Sequence, residues 1–465
     1  MSLSFRFVLP LMAALFATTA ERPPNVVIIF TDDQGYGDIG CFGAKGFTTP
    51  NLDRLAEHGT RFTNFHVAQA VCSASRIALL TGCYPNRVGF SGALMPNSKI
   101  GIHADELTIG EMLKARGYAT AAVGKWHLGD KPQFLPTNNG FDSWYGLPYS
   151  NDMWPNHPTA KFPPLPLMEG EKVLALNPDQ TTLTTDYTTH AVRFIEQNKD
   201  KPFFLYLAHS MPHVPLFVSD KFKGKTELGL YGDVISEIDW SVGQVMDILD
   251  KHHLRDNTLI IYTSDNGPWL SYGDHAGSTS GLKEGKGTSW EGGVRVPCLM
   301  RWPNHIPAGR TCDEALMTID VMPTLAHITG STLPNHLIDG KNVWPILSHA
   351  DGATNPHDGY AIYYNKNDLQ AVISGQWKLV LPHPYRSLNG RPGGSAGQPV
   401  AYEMVNATLA LYNISSDKNE TTNVAAANPE VVANMQKLAE RFRAELGDNL
   451  TKREPTQVRP AGNAE

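Results

Sequence analysis

Two short segments, Thr31-Asp32-Asp33-Gln34-Gly35 and Ser264-Asp265-Asn266-Gly267, each follow an apolar run and each set two oxygen-bearing side chains next to one another. Adjacent carboxylates repel, so four such ligands gathered at one place are favourable when a cation sits among them. All-oxygen ligation selects a hard ion, Ca²⁺ or Mg²⁺, over zinc. Taken alone, either segment reads equally well as a turn after a strand, since Asp, Asn and Gly are turn residues. Between them in the chain, Val71-Cys72-Ser73-Ala74-Ser75-Arg76 opens a helical run. The free N–H groups of a first helical turn attract anions, and Arg76, one turn on, can fork onto two oxygens of one anion. The plain alternative for Cys72 is a structural cysteine. Cations then recur on separate loops: Lys125 with His127, His209 with His213, and Lys286 in Gly285-Lys286-Gly287-Thr288. Several positive groups converging with a divalent cation indicate a tetrahedral oxyanion ligand, a sulfate or phosphate ester.

These residues must be positioned by the elements before them. Asn25–Phe30, Ala119–Gly124, Phe203–Ala208 and Thr258–Thr263 are continuous apolar runs, the pattern of strands covered on both faces in a largely parallel sheet. Helices are predicted over Thr49–His58, Thr108–Arg116 and around Ile235, Ile238, Val242, Val245, Met246 and Leu249, whose 3.6-residue spacing marks a core-facing stripe. The alternation implies an α/β domain over residues 21–350 with helices on both faces, and in such sheets ligands bind beyond the carboxyl ends of the strands. A polar stretch at residues 348–359 reads as a linker. Beyond it, strand candidates Tyr360–Tyr364, Ala371–Ser374, Trp377–Leu381 and Leu409–Tyr412, with a helix Pro429–Leu446 capped by Asn428, predict a small antiparallel α+β subdomain over residues 351–450. Residues 451–465 read as a flexible tail.

The chain has 465 residues and a net charge of −7, from 39 Lys+Arg against 46 Asp+Glu. That balance excludes a general nucleic-acid or anionic-membrane binder, so any anion must meet a local cluster of cations. Residues 1–20 have the form of a signal peptide, with Arg6, an apolar Phe7–Ala17 and small residues at Thr18-Thr19-Ala20. No later segment is long and apolar enough to span a membrane, so export to a periplasmic or extracellular space, or a lysosomal-type compartment in a eukaryote, is expected. Five cysteines, at 41, 72, 83, 298 and 312, leave one over in any full pairing.

Two stretches resemble long signatures of the formylglycine-dependent sulfatases. Cys72-Ser73-Ala74-Ser75-Arg76 with Leu79-Leu80-Thr81-Gly82 is similar to the first. Gly117-Tyr118-Ala119-Thr120-Ala121-Ala122-Val123-Gly124-Lys125-Trp126-His127-Leu128-Gly129 is similar to the second. Position 74 is alanine where proline is commonest in that family. The likeness extends from Pro24 through Gly287–Val294 to Leu411-Tyr412-Asn413, and it is strongest to the arylsulfatase A and galactosamine-sulfatase branch. It implies an alkaline-phosphatase-like fold and sulfate ester hydrolysis, on a sulfated saccharide or aryl sulfate. Asp32, Asp33, Asp265, Asn266 and residue 72 would be the ligands of Ca²⁺, with Mg²⁺ as the other candidate. Cys72 would be converted by a formylglycine-generating enzyme to an aldehyde that is present as its hydrate. Arg76 would support that hydrate, Lys125 and Lys286 would hold the sulfate oxygens, His127 would assist the hydrate, and His213 would lie near the leaving oxygen. Ser150 would contact substrate.

One hydroxyl of the hydrate would attack sulfur, and loss of the proton from the other would expel sulfate, which a simple cysteine or serine ester could not do. Residues flanking these motifs, Tyr149, Asp152, Trp154, His157, Trp269, His275 and Trp290, are candidate sugar contacts or packing residues. The competing readings are a phosphate or phosphonate ester hydrolase, and a non-catalytic binder of sulfated glycans in which Cys72 stays a thiol. With Cys72 set aside, Cys41, Cys83, Cys298 and Cys312 form an even number, allowing three pairings and requiring none. Of these, Cys298 and Cys312 are near enough in sequence to pair.

Overall fold

In a computed structural model, which describes residues 22–464, β1 (Asn25–Thr31) lies near the middle of an eleven-stranded sheet. The leader read over residues 1–20 lies outside the described residues. The chain then forms α1 (Pro50–Glu57), β2 (Thr60–His66), α2 (Cys72–Thr81), β3 (Ala119–Gly124), β4 (Phe203–Ala208), α3 (Leu230–Lys251), β5 (Thr258–Ser264) and β6 (Arg295–Arg301). β1 pairs in parallel with β4 on one side and β5 on the other, β4 pairs in parallel with β3, and β6 runs antiparallel to β5 and β2.

Both faces of β1 are covered, which is why its sequence does not alternate. Val26, Ile28 and Phe30 pack with α2 and with the helices Ile109–Ala115 and Val321–Thr329; Val27 and Ile29 pack with α1, α3 and the helix Leu183–Asn198. Register brings the strand ends level. Thr31 opposes Ser264, Phe30 opposes Ala208, and Ala208 opposes Gly124, so Asp32, Asp265, His209 and Lys125 leave the sheet along one edge. Gly124, with φ 108°, makes the turn at that edge; a β-carbon there would collide with the carbonyl of Ala208.

After the polar stretch, strands Tyr360–Tyr364, Asp368–Ser374, Trp377–Val380 and Ala410–Asn413 form a four-stranded antiparallel sheet, with the helix Pro429–Leu446 burying Met435, Leu438, Ala439 and Leu446 against it. Asn428 precedes that helix but does not cap it: its Nδ2 donates to Val424 O at 2.9 Å. A separate hairpin, His383–Ser387 with Glu403–Ala407, stands apart from this sheet. A buried ionic group ties the subdomain to the main sheet. Lys378 Nζ reaches Glu291 at 2.8 Å and Glu420 at 2.9 Å, and Glu291 also meets His66 of β2 and Arg295 of β6, both at 3.2 Å.

One expectation changes. The segment read as a flexible tail is docked: Gly462 and Asn463 pair with Gly101 and Ile100, Arg459 forms an ion pair with Glu106, and Gln457 N donates to Glu445 O. Its polar composition hid specific partners on the main domain. The five cysteines are free thiols. Cys298 and Cys312 both oppose Phe62 of β2, from its two sides, so they stand two strand spacings apart, about 9.6 Å, too far for a disulfide.

Candidate active site

Cys72 is the first residue of α2, a helix whose ten residues are all buried, so its sulfur is fixed at the helix start by packing. Two charged groups meet it: Lys286 Nζ donates to Sγ at 3.5 Å, and Sγ lies 3.9 Å from Asp32 Oδ1. Around this point the carboxylates and cations predicted from separate loops converge. Lys125 Nζ donates to Asp32 and to Ser150 Oγ (3.1 Å). Lys286 Nζ lies 2.6 Å from Asp33 Oδ1, and His213 Nε2 lies 3.5 Å from Asp33 Oδ2. Asp265 Oδ1 accepts the backbone N–H of Asp33 at 3.1 Å, and Asn266 Nδ2 donates to Asp33 Oδ1 at 2.7 Å.

Arg76 occupies a different place from the one its spacing suggested. Its guanidinium turns into the acid group, with Nη2 2.8 Å from Asp265 and 3.6 Å from Asp32 and Nη1 donating to Lys125 O at 3.1 Å; Nε is buried without a partner. It therefore neutralises and orients carboxylates, and the Nη1 and Nη2 groups that were expected to fork onto an anion are engaged by Lys125 O and the acids.

The charges set one another's protonation. Burial alone would push the Asp32 carboxyl up, but Lys125, His213, Arg76 and Lys286 hold it far below the usual range. Burial raises Asp265 to about 7, with the Asp32 charge adding to the effect and Arg76 opposing it. The two histidines are driven apart. Burial first, then Lys125, keeps His127 well below its ordinary value, and its Nε2–H donates to Leu94 O at 2.8 Å, leaving Nδ1 buried with a free lone pair. Burial also opposes charge on His213, but Asp33 outweighs it and raises the group to about 9; its Nδ1–H is taken by Val214 O at 2.5 Å. One imidazole is thus a neutral base and the other a cationic acid.

Donor atoms of Asp32, Asp33, Cys72 and His213 lie within 4.8 Å of one another. Asn266 Oδ1 is buried without a partner, an acceptor in a place already rich in acceptors. The carboxylates of Asp32, Asp33 and Asp265 with the unpartnered amide oxygen of Asn266 are the oxygen donors that a hard cation takes, so these residues fit Ca²⁺ or Mg²⁺.

The flanking candidates divide. Ser150 is buried against Lys125. Asp152 is buried with Oδ1 unpartnered, its charge felt by His213, and it lies 3.7 Å from His157. Trp269 meets His213 edge-on with centroids 5.7 Å apart and carries Lys286 Nζ 4.6 Å from its ring. His275 is half-buried against Gly397 and makes no contact with the cluster among the described residues. Trp290 is a packing residue, enclosed by Tyr385, Tyr412 and Lys283. His209 also leaves the cluster: burial lowers it to about 3, and its ring bonds to Ser241 at 3.2 Å. One neighbour was not predicted. Arg386, on the hairpin His383–Ser387, donates Nε and Nη2 to the Lys286 carbonyl and lies over Trp269 and Tyr402. It is far from Lys286 in sequence and sits in no motif.

Comparison with known proteins places this geometry. A family model described as sulfatase matches residues 24–331, and one described as the C-terminal part of N-sulphoglucosamine sulphohydrolase matches residues 285–381. The chain is 37% identical to arylsulfatase A of Homo sapiens, over 92% of this chain and 89% of that one. It is 38% identical to the N-acetylgalactosamine-6-sulfatase of Homo sapiens, over 78% and 72%. The crystal structure of Ps i-CgsB in complex with a neocarrahexaose superimposes with a TM-score of 0.75 at 32% identity, covering 90% of this chain and 93% of that one. The mostly parallel sheet with helices on both faces is the alkaline-phosphatase-like fold.

Proposed function

Because the chain belongs to the sulfatase family and hydrolyses sulfate esters, we propose that its substrate is a sulfated carbohydrate and that residue 72 acts as formylglycine beside a bound Ca²⁺. The observation that carries this reading is the position of Cys72 Sγ, at a helix start and within reach of Lys286 and Asp32. A relative named N-acetylgalactosamine-6-sulfatase and a structural neighbour in complex with a neocarrahexaose support the carbohydrate.

Asp32, Asp33, Asp265 and Asn266, with residue 72, would hold the cation, which when bound would polarise the sulfate group and acidify a hydroxyl on residue 72. Formylglycine at that position would supply a hydrated aldehyde, with one hydroxyl to attack sulfur and a second through which sulfate is released. The remaining work falls to the side chains in place. Lys125 and Lys286 keep their ammonium charge inside the buried acid group and so stabilise negative charge that grows on sulfuryl oxygens. Ser150 orients Lys125. His213, charged and anchored through Nδ1, offers its Nε2 proton to the departing sugar oxygen, with Lys286 as the neighbouring donor. His127, neutral and anchored through Nε2, accepts a proton at Nδ1.

Among the described residues no helix is long and apolar enough to cross a membrane. The leader read at residues 1–20 supports export to a periplasmic or extracellular space, or to a lysosomal-type compartment in a eukaryote, and the likeness of Cys72–Arg76 to the first signature supports maturation by a formylglycine-generating enzyme.

Mass spectrometry of the peptide spanning residue 72 in active protein tests the reading: the aldehyde is expected, and an intact thiol in fully active protein overturns it. Cys72→Ala should abolish turnover while the fold is kept. Sulfate release from a panel of regiospecifically sulfated saccharides identifies the sugar, and equal turnover of aryl phosphate and aryl sulfate would remove the preference for sulfate.

A further inference from the structure

At the opposite edge of the sheet, where β5 begins and β6 ends, an open cavity of about 820 Å³ lies between α1, the end of α3 and the loop after β6. Arg301, the last residue of β6, opposes Ile260 of β5, whereas Asp265 follows the far end of that strand, so the cavity and the catalytic cluster are separated by roughly 16 Å of strand. Arg301 is 6% exposed and lines the cavity. Its Nε is buried without a hydrogen-bond partner, and among the described residues its guanidinium forms no ion pair. The acids nearby pair with one other arginine: Asp256 accepts from Arg255 Nε at 3.1 Å, and Asp250 lies 3.9 Å from the same nitrogen. Arg54, on the rim, is paired with Asp247, outside the cavity lining. Three arginines therefore face two aspartates here, with His58 and His305 as further donors. His305 stacks on Trp302, centroids 4.0 Å apart, and gives the cavity one flat exposed wall.

Asp250 and Asp256 are near enough to act on the charge of Arg301 but form no direct pair with it, and a guanidinium this buried without a direct partner is costly and unusual. A planar fork in that position suits two oxygens of one oxyanion. We propose that this cavity is a second oxyanion site, distinct from the catalytic cluster, that takes a sulfate group either as the free ion or carried on a sugar chain, with Arg301 as its central ligand. Sulfate is the oxyanion that the reaction of this chain itself releases, and the flat wall at His305 suits a sugar ring beside it.

Calorimetric titration of full-length Cys72→Ala protein with sodium sulfate, sodium phosphate, a sulfated hexasaccharide and its desulfated counterpart tests this. Two binding events are expected with the sulfated probes and none with the desulfated sugar. Arg301→Met should weaken one event at least about tenfold and leave the other unchanged. Turnover of a small aryl sulfate by the otherwise wild-type Arg301→Met enzyme should also be unchanged. Binding of sulfate and hexasaccharide alike supports a site for the ion itself; binding of the hexasaccharide alone supports a site for the chain. If Arg301→Met fails to fold by circular dichroism, Arg255→Ser on the exposed rim should weaken the same event roughly two- to fivefold. A single event in the parent with both sulfate and the sulfated hexasaccharide, or two events unaffected by either substitution, overturns the proposal.

Discussion

The carbonyl of Lys286 accepts both Nε and Nη2 of Arg386, at 3.1 and 2.5 Å, so the lysine that touches Cys72 and Asp33 is held from a hairpin 100 residues further along the chain. On its other side the Lys286 N–H donates to Pro268 O at 2.9 Å. The peptide is thus clamped at both ends, which fixes the point from which the Lys286 side chain reaches Asp33 and Cys72. Gly287 follows with φ 79°, and a β-carbon there would also run into the Arg386 guanidinium, so the position suits glycine.

Arg386→Ala should lower kcat roughly ten- to a hundredfold through misplacement of Lys286, with KM changed much less. Arg386→Lys, which keeps one donor, should recover part of the rate. Steady-state kinetics on one aryl sulfate checks both, and equal losses in the two variants would speak against positioning.

Lys378→Met should be strongly destabilising, by about 3–5 kcal/mol, since it leaves Glu291 and Glu420 buried without their shared cation. Denaturant unfolding measures this. The companion Glu420→Gln, which keeps the shape and removes one charge, should cost less.

His209 gives a pH prediction with a defined sign. Its folded value, about 3, lies below the ordinary 6.5 because burial favours the neutral ring, so the unfolded chain binds the extra proton between those limits. Stability therefore falls as pH drops below 6.5, by up to about 1.4 kcal/mol per unit from this group. His209→Gln should flatten the acid limb of a stability-against-pH curve by that slope, while activity at neutral pH persists.

Metal removal should abolish sulfate release without unfolding the chain, because Arg76, Lys125 and Lys286 already offset the carboxylates. Dialysis against a chelator followed by Ca²⁺ or Mg²⁺ addition checks this through rate and circular dichroism together, and recovery with Ca²⁺ is expected.

Much of this was legible along the chain. Runs such as Asn25–Phe30 announce doubly covered strands because each residue faces a core, and parallel strands of similar length must deliver their following residues to one edge. That is enough to gather Asp32, Lys125, His213 and Asp265. What escaped has no local signature. Arg386 acts through a backbone carbonyl, a role that any sequence can fill. Arg76 is read from helix spacing as a fork for an anion, but with all of α2 buried its guanidinium pairs with Asp265 and Asp32. His209 resembled His213 in chain position, and the difference lies in Ser241 of α3, which only packing supplies. The end of the chain looked mobile because its residues are polar, yet Arg459 has a waiting carboxylate in Glu106.

That last attachment carries an implication for assembly. Gly462 and Asn463 complete a two-stranded ribbon with Ile100 and Gly101, so residues separated by more than three-quarters of the polypeptide are neighbours in the finished molecule. Gly462 and Asn463 are synthesised long after the segment around residue 100, which waits for them. Contacts of such long sequence separation slow folding. Truncation behind Arg453, or a bulky fusion placed directly after Asn463, should therefore show itself first as slower maturation and lower yield of the enzyme.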